Sequence, residues 1–386
     1  MDSCIDEGLL NDKFNSFIRG DNNPNLQYES CWLLTNITSL STLHTLSVVG
    51  IGCLPHLIKL LDAPNENVKH QALWTLGNII VDGYILRDQC IEAGVLSSVV
   101  DQLSTKREPE FLLTAAWFFG NVCRHMSHPI KLSCLKQILD ELEFLIEMKV
   151  DDLTRECFWA FTFICDSPLD YKQEFINRGL LALTVCKMQS QNEDRFCMPL
   201  VKTVTNLASS ETILPLLVNT QLFGCLRTFL THKRLPIRKE AYILINRMTS
   251  LGSDAVQLLI ESDLMPVIVE GLLFDDRNVA LPVAEVIKNA FKFANESQLG
   301  SLWSHSHALC SMFTSAMANL DKSLLVAVRN LLQHTNDLEE VRNVLEEEGI
   351  VETLESLQSH EDKELTLISK ELLFYKNEFD VRLFPS

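Results

Sequence analysis

Four of the five tryptophans in this sequence recur at a nearly constant spacing. In chain order they are Trp32, Trp74, Trp117 and Trp159, with steps of 42, 43 and 42 residues. The first three are each followed, four positions later, by an asparagine: Asn36, Asn78 and Asn121. Residues i and i+4 lie on one face of a helix, one turn apart. Indole rings stack on the stems of lysine and arginine, and amides hydrogen-bond an extended peptide. The pattern therefore predicts a peptide-binding groove.

The asparagine series continues beyond the tryptophans. Phe163 takes the asparagine position after Trp159, and the later asparagines follow at steps of 43, 40 and 43 residues: Asn206, Asn246 and Asn289. The residues four positions before these three are no longer tryptophan but Lys202, Tyr242 and Glu285. The sequence thus predicts seven repeats, of which the later ones have lost their stacking walls.

A fixed period near 40 residues is typical of stacked helical repeats, because each unit buries its apolar face only against a neighbour. Glycines just before apolar helices support the same phase: Gly8, Gly52, Gly94, Gly179 and Gly349. Glycine ends a helix readily because it adopts a left-handed conformation. Prolines lie six to ten residues before the Trp or Tyr of four repeats: Pro24, Pro64, Pro109 and Pro236. Each repeat is predicted to be helix, glycine turn, helix, then the helix bearing the Trp–Asn pair.

Composition excludes several other classes of protein. The chain has 386 residues, of which 47% are hydrophobic. This length is too great for one compact core, whereas the core of a solenoid grows with each added repeat. Twelve cysteines without a CxxC pair argue against a disulfide framework and common zinc modules, and we expect most of them to be buried. The sequence shows no secretory segment and no membrane-spanning run, so we expect a soluble intracellular protein.

The chain is strongly acidic, with 33 basic and 51 acidic residues and a formal net charge of −18. This balance argues against nucleic acid as a partner and favours a cationic one. The alternative to a cationic partner is that the acidic residues only keep the protein soluble. Asp82 follows Asn78 by four residues, so Trp74, Asn78 and Asp82 form one stripe, with the carboxylate placed to pair with a lysine.

The segments QYESCWLLTNITS, HQALWTLGNIIVDG and LTAAWFFGNVCR resemble successive armadillo repeats of importin alpha. The resemblance implies an all-α fold, an armadillo-repeat right-handed superhelical solenoid that forms one domain over residues 1–386. We expect a partial first repeat at 1–20, well-matched repeats at 21–190, divergent repeats at 191–336 and a final acidic repeat at 337–380. It also implies an adaptor that carries basic nuclear localisation signals between cytoplasm and nucleus, without a cofactor.

The resemblance adds groove positions to the Trp–Asn series. In the major groove it adds Thr45, Gln71, Arg124 and Glu156, with Glu156 in place of an aspartate. It also implies that Asp82 binds the critical lysine of the signal. Leu40 and Thr114 replace a glycine and an asparagine, so we expect weaker binding there. The minor groove would comprise Lys202, Asn206, Tyr242, Asn246 and Asn289, and we expect it to be degraded.

The resemblance also bears on partners other than cargo. The chain begins inside the first repeat at IDEGLL, without the family's basic segment that recruits importin beta, so we expect that partner not to bind by the usual route. The final repeat resembles the one that contributes to binding a nuclear export receptor. We expect no membrane and no nucleic-acid partner.

No catalytic or metal-binding constellation competes with this interpretation. His305 and His307 are two residues apart and would not share a helix face. Cys123, His125, His128 and Cys134 match no standard zinc spacing. Two hypotheses remain: a transport adaptor for basic peptides, and an armadillo scaffold that has lost peptide binding and binds another protein.

Overall fold

The computed structural model shows an all-α protein. It describes residues 10–20, 23–103, 108–190, 193–218, 221–274, 277–303, 350–363, 365–371 and 373. Over these residues the secondary structure is α-helix with one 3-10 turn, and no β-strand. Two compact units divide the chain, unit 1 at residues 1–184 and unit 2 at residues 185–386. Half of the expected final repeat, residues 337–349, 364, 372 and 374–380, and the pair His305 and His307 lie outside the described residues.

Unit 1 is built from short helices in the predicted order. They are α1 (Asp12–Arg19), α2 (Pro24–Thr38), α3 (Thr42–Gly50), α4 (Leu54–Lys59), α5 (Glu66–Val81), α6 (Tyr84–Glu92), α7 (Val95–Leu103), α8 (Pro109–Val122), α9 (Leu132–Glu147), α10 (Asp151–Ile164) and α11 (Leu169–Asn177). The boundary of the unit falls within α12 (Leu180–Ser190). The four helices that carry the tryptophans, α2, α5, α8 and α10, are called the third helices below.

Glycine turns join the first and second helices of the repeats, as predicted. Gly52, Gly94 and Gly179 have φ angles of 73°, 93° and 76°. These left-handed conformations carry little cost for glycine and a steric penalty for most other residues. Gly8 and Gly349 lie outside the described residues.

The third helices begin at capping asparagines and prolines. Pro24 and Pro109 are the first residues of α2 and α8, where a missing N–H costs nothing. The side chain of Asn23 accepts a hydrogen bond from the Leu26 N–H at 3.1 Å. Asn65 caps α5 in the same way, accepting from Val68 N–H at 3.2 Å. Local sequence therefore defines where each of these helices starts.

Successive third helices pack against each other, α2 on α5, α5 on α8 and α8 on α10. Fully buried leucines such as Leu34, Leu73 and Leu76 support this packing. A polar contact accompanies them, since the Thr35 and Thr75 hydroxyls lie 2.8 Å apart between α2 and α5. The packing places the Trp-bearing faces of the four helices side by side.

One repeat of unit 1 departs from the predicted order. Between α8 and α10 the chain forms a single helix, α9, preceded by a non-helical loop at residues 123–131. The third helix of this repeat ends at Val122. The fully buried Arg87 holds the loop by donating to the carbonyls of His125 at 3.1 Å and His128 at 2.6 Å.

Unit 2 continues the same helical pattern. Its described helices are α13 (Asp194–Leu207), α14 (Leu214–Val218), α15 (Leu222–Leu230), α16 (Leu235–Thr249), α17 (Ser253–Glu261), α18 (Met265–Phe274), α19 (Arg277–Phe293), α20 (Glu296–Trp303) and α21 (Ile350–Leu357). The helices that carry Asn206, Asn246 and Asn289 pack in series, α13 on α16 and α16 on α19.

Most described cysteines are small core residues, as the sequence predicts. Seven are buried: Cys31, Cys53, Cys90, Cys123, Cys157, Cys165 and Cys197. Burial raises the pKa of the Cys53 and Cys123 thiols to about 12, so they stay protonated at neutral pH. Among the described helices none is long and apolar enough to cross a membrane by itself, although the bent pair Thr42–Gly50 and Leu54–Asp62 passes such a test jointly.

Candidate peptide-binding site

Two tryptophans of the series project into solvent from neighbouring third helices. The exposed fraction of Trp32 is 51% and that of Trp74 is 46%. Core side chains on the same helices, such as Leu34 and Leu73, are fully buried. Large exposed aromatic side chains on one face are typical of a binding surface.

A surface pocket lies between the second and third tryptophans. It has a volume of about 340 Å³ and is lined by Trp74, Leu113, Thr114, Trp117 and Glu156. These residues come from three third helices, α5, α8 and α10. Two indole rings with a carboxylate at the same pocket match the needs of a side chain that has an apolar stem and a cationic end.

Gly77 makes room for one wall of this pocket. A Cβ atom at Gly77 would lie 2.2 Å from the ring of Trp117, so the indole packs directly on the α5 backbone. Only glycine permits this approach. The sequence shows Gly77 directly before Asn78. The role of Gly77 becomes visible only when α5 and α8 are packed together.

Glu156 is oriented by its sequence neighbour. Arg155 donates from Nε at 3.2 Å and from Nη2 at 2.9 Å, both to Oε1 of Glu156. Among the described residues no donor lies within hydrogen-bond distance of Oε2. The ion pair thus fixes the carboxylate while leaving one oxygen to accept from a ligand.

His70 is a pocket neighbour that the sequence analysis missed. Its Nε2 lies 2.7 Å from the Thr114 hydroxyl, and its ring centroid lies 6.1 Å from that of Trp74. Desolvation is the main cause that lowers the pKa of His70, so the ring is neutral at pH 7. A signal was present, because His70 precedes Trp74 by four residues and shares its helix face.

The asparagines do not simply face the groove. Nδ2 of Asn78 donates to the Thr35 carbonyl of α2 at 3.1 Å, and Nδ2 of Asn121 points to the Gly77 carbonyl of α5 at 3.5 Å. Asn36 instead donates to the Trp32 carbonyl of its own helix at 2.9 Å. Each of these amides therefore uses one of its two N–H donors within the protein. Among the described residues, Oδ1 of Asn78 and Asn121 accepts no hydrogen bond and remains for a ligand N–H.

Asp82 lies one residue beyond the end of α5 and carries an unsatisfied acceptor. Its Oδ1 accepts from the Thr42 hydroxyl at a long 3.4 Å, whereas Oδ2 is buried and has no hydrogen-bond partner within the described part of the chain. A buried carboxylate oxygen without a partner is costly, which makes it a strong acceptor for an incoming cation.

Two predicted groove residues are internal. Thr45 is fully buried, and its hydroxyl donates to the Thr38 carbonyl at 3.3 Å. Gln71 is 4% exposed and donates to the Thr35 hydroxyl at 2.7 Å. Both side chains stabilise helix packing, so the expectation that they line the groove surface is wrong.

The fourth repeat differs from the first three. Trp159 is half-buried on α10, and Phe163 stands one turn later in place of the asparagine. The exposed Arg124 lies over that ring, with Cζ 5.6 Å from the Phe163 centroid. A guanidinium at this distance is attracted by the aromatic face.

The predicted minor groove in unit 2 is largely occupied by internal contacts. Lys202 forms an ion pair with Glu240 at 3.0 Å. Tyr242 is fully buried, with its hydroxyl 3.3 Å from the Val267 carbonyl of α18, so its assignment to a groove surface is wrong. The physical reason is Gly271, whose missing side chain leaves space for the Tyr242 ring in the interior.

The asparagines of unit 2 also bond to one another. Nδ2 of Asn289 donates to Oδ1 of Asn246 at 2.7 Å and to the Asn246 carbonyl at 3.2 Å. Asn206 is 7% exposed. Among the described residues these contacts occupy amide groups of the predicted minor groove.

The described residues contain no group of three or more His, Cys, Asp or Glu side chains suited to hold a metal ion. His125 bonds to the Val81 carbonyl at 2.9 Å, and His128 stacks on Tyr84 with centroids 3.8 Å apart. In unit 1 the pocket places two indole rings beside the Glu156 carboxylate.

Comparisons with known proteins agree with this geometry. The family model for the armadillo/beta-catenin-like repeat matches residues 45–81. Importin subunit alpha-1b of Oryza sativa subsp. japonica is 30% identical over 244 residues, which cover 62% of this chain and 45% of the relative. Importin subunit alpha-2 of Arabidopsis thaliana is 30% identical over 192 residues, covering 50% of this chain and 36% of the relative. The chain is thus similar to importin alpha subunits over part of their length and contains an armadillo/beta-catenin-like repeat.

Solved structures support the armadillo fold. The crystal structure of an engineered protein superimposes with a TM-score of 0.80 at 19% identity, covering 97% of this chain and 90% of that one. A designed armadillo repeat protein matches with a TM-score of 0.53 at 19% identity, covering 61% of this chain and 99% of that one. The chain spans about half the length of the curated relatives it matches.

Proposed function

We propose that unit 1 binds lysine- and arginine-rich peptide segments, and that the protein acts as a nuclear import adaptor for proteins that carry such signals. The observation that supports this most directly is the pocket between Trp74 and Trp117 with Glu156 at its wall. The stem of a lysine would lie between the indoles, and its ammonium group would meet Oε2 of Glu156.

Two further features of unit 1 support the same ligand. The Oδ2 atom of Asp82, which has no hydrogen-bond partner among the described residues, offers a second site for a cation at the C-terminal end of α5. The Oδ1 atoms of Asn78 and Asn121 offer acceptors for the peptide backbone, which gives affinity independent of sequence. A ligand that engages all of these groups is an extended peptide with several basic side chains, and such a protein would work in both cytoplasm and nucleus.

The proposal is tested by fluorescence anisotropy with a labelled peptide that contains five consecutive Lys or Arg residues. Trp74→Ala combined with Trp117→Ala should weaken binding at least 30-fold, about 2 kcal/mol, because two stacking surfaces are lost together. Phe144→Ala is the matched control, since Phe144 is a 42% exposed aromatic residue on α9 outside the pocket. Equal affinity of the double variant and the control would contradict the proposal.

An armadillo scaffold for another protein partner is the second candidate. The internal contacts of Lys202, Tyr242 and Asn246 in unit 2 favour it, because they show groove positions turned to structural use. Failure of the wild-type chain to bind any basic peptide in the anisotropy experiment would support this candidate over the adaptor. No catalytic role is proposed, since armadillo repeats and importin alpha subunits are binding proteins.

A further inference from the structure

Arg124 is an exposed arginine without a carboxylate partner among the described residues. Among the described residues five arginines form ion pairs with Asp or Glu: Arg87, Arg155, Arg178, Arg195 and Arg227. Arg124 is exposed and makes no ion pair within the described part of the chain, although acidic residues outnumber basic ones by 51 to 33. Its one recorded side-chain contact is the ring of Phe163, 5.6 Å away.

The guanidinium is held in place from two directions. Phe163 attracts it through the negative face of the ring. The loop that carries it is fixed by the buried Arg87, which donates to the His125 and His128 carbonyls. His125 in turn bonds to the Val81 carbonyl of α5 at 2.9 Å. A cation held this way needs little reordering to bind an anion.

The chemistry of the pair differs from that of the tryptophan repeats. A guanidinium that rests on an aromatic ring keeps its in-plane N–H donors at the edge, where they fit a carboxylate in a bidentate manner. The same charge repels a lysine or arginine of the ligand. The asparagine that would accept a backbone N–H is absent, because its position is occupied by Phe163.

We propose that Arg124 and Phe163 form a carboxylate subsite at the end of the basic-peptide groove of unit 1. The preferred ligand is then a peptide in which a carboxylate, from an Asp or Glu side chain or from the peptide's own C-terminus, lies beside the basic cluster. This inference rests on the proposed function and specifies the ligand class of the same groove.

The test is a double-mutant cycle with the full chain, measured by fluorescence anisotropy. Peptides with one five-residue basic core carry Glu or Gln at each of six flanking positions on either side, all with amidated C-termini. A further set carries Gln and a free C-terminus at the same distances. Arg124→Gln is compared with Arg195→Gln, which removes another arginine stacked on phenylalanine, 5.3 Å from the Phe196 centroid in unit 2.

At one flanking position the carboxylate peptide should bind wild type about fivefold more tightly than its neutral counterpart. Arg124→Gln should abolish this preference and leave the neutral peptide bound equally or more tightly. Arg195→Gln should preserve the preference, and Phe163→Asn should reduce it while Arg124 is retained. The amidated and free-acid sets show whether a side chain or a terminus supplies the carboxylate.

Equal binding of carboxylate and neutral peptides at every position would overturn the subsite and leave the basic groove intact. Equal losses of the preference in Arg124→Gln and Arg195→Gln would also overturn it. Absence of binding of any basic peptide to wild type would overturn the proposed function and the subsite together, so the two failures are distinguishable.

Discussion

At the scale of single residues, the environment of a side chain decides whether a repeated position binds a ligand or supports the fold. Trp74 and Tyr242 occupy equivalent places, four residues before an asparagine, yet Trp74 is 46% exposed and Tyr242 is fully buried. The burial of Tyr242 depends on a glycine of another helix. Gly77 receives the ring of Trp117 near the surface, whereas Gly271 admits Tyr242 to the interior. Side chains of one repeat position therefore have different environments in the two units.

Asp82→Asn tests the unsatisfied carboxylate oxygen. Removing the charge should weaken binding of the basic peptide by about 1–2 kcal/mol, because a charge-assisted hydrogen bond is lost. The free energy of unfolding should stay unchanged or rise slightly, since Oδ2 has no partner in the free protein within the described residues. Anisotropy and urea denaturation measure the two effects, with Glu92→Gln as a charge-matched control on α6. A large loss of stability would show instead that Asp82 is structural.

At the scale of helices, the sequence predicts most of the order and little of the contacts. Local residues define the helix boundaries, namely the capping residues Asn23 and Asn65 and the glycines of the turns. The repeat period predicts where α2, α5, α8 and α10 lie. The loop at residues 123–131 was not predicted, because it depends on the buried Arg87 from another repeat. The burial of Gln71 was missed for a similar reason, since its partner Thr35 is 36 residues away. Contacts between repeats are not encoded in the local pattern.

Gly77→Ala and Gly120→Ala form a matched pair at this scale, because both glycines precede the asparagine of a third helix. A Cβ at Gly77 would lie 2.2 Å from Trp117, whereas a Cβ at Gly120 would lie 3.8 Å from Ala160. Both substitutions gain helix propensity of about 1 kcal/mol, so the comparison cancels that term. Gly77→Ala should be less stable than Gly120→Ala by about 1–3 kcal/mol and should bind basic peptide more weakly. Urea denaturation and anisotropy check both effects, and indistinguishable variants would show that the Trp117 ring moves freely.

At the scale of the whole molecule, we expect two separate contributions to the free energy of binding a basic peptide: long-range charge attraction and contact with aromatic side chains. The formal net charge of −18 attracts a cationic peptide from a distance, and the exposed tryptophans provide contacts that salt does not screen. The paired charges of unit 2, such as Lys202 with Glu240, add little to this attraction. Binding should therefore depend on unit 1 and on ionic strength together.

The salt dependence of binding separates the contribution of charge from that of the aromatic contacts. Raising the salt concentration from about 0.1 M to about 1 M shortens the Debye length from about 10 Å to about 3 Å, so affinity for the basic peptide should fall roughly tenfold. The residual affinity should disappear in the Trp74→Ala, Trp117→Ala variant. Isothermal titration at several salt concentrations provides the measurement, with Lys202→Ala as a control that should follow wild type. Affinity independent of salt would contradict recognition through Asp82 and Glu156.

The amide contacts between third helices give the groove a direction. Asn78, Asn121 and Asn289 each donate to a carbonyl of the preceding repeat, and Asn36 turns back to its own helix. A peptide backbone is itself polar, so its two possible orientations along such a row are not equivalent. Peptides that read forwards and backwards with the same side chains should differ in affinity for unit 1. The protein would then distinguish a signal from its reversed sequence even though composition, charge and length are the same.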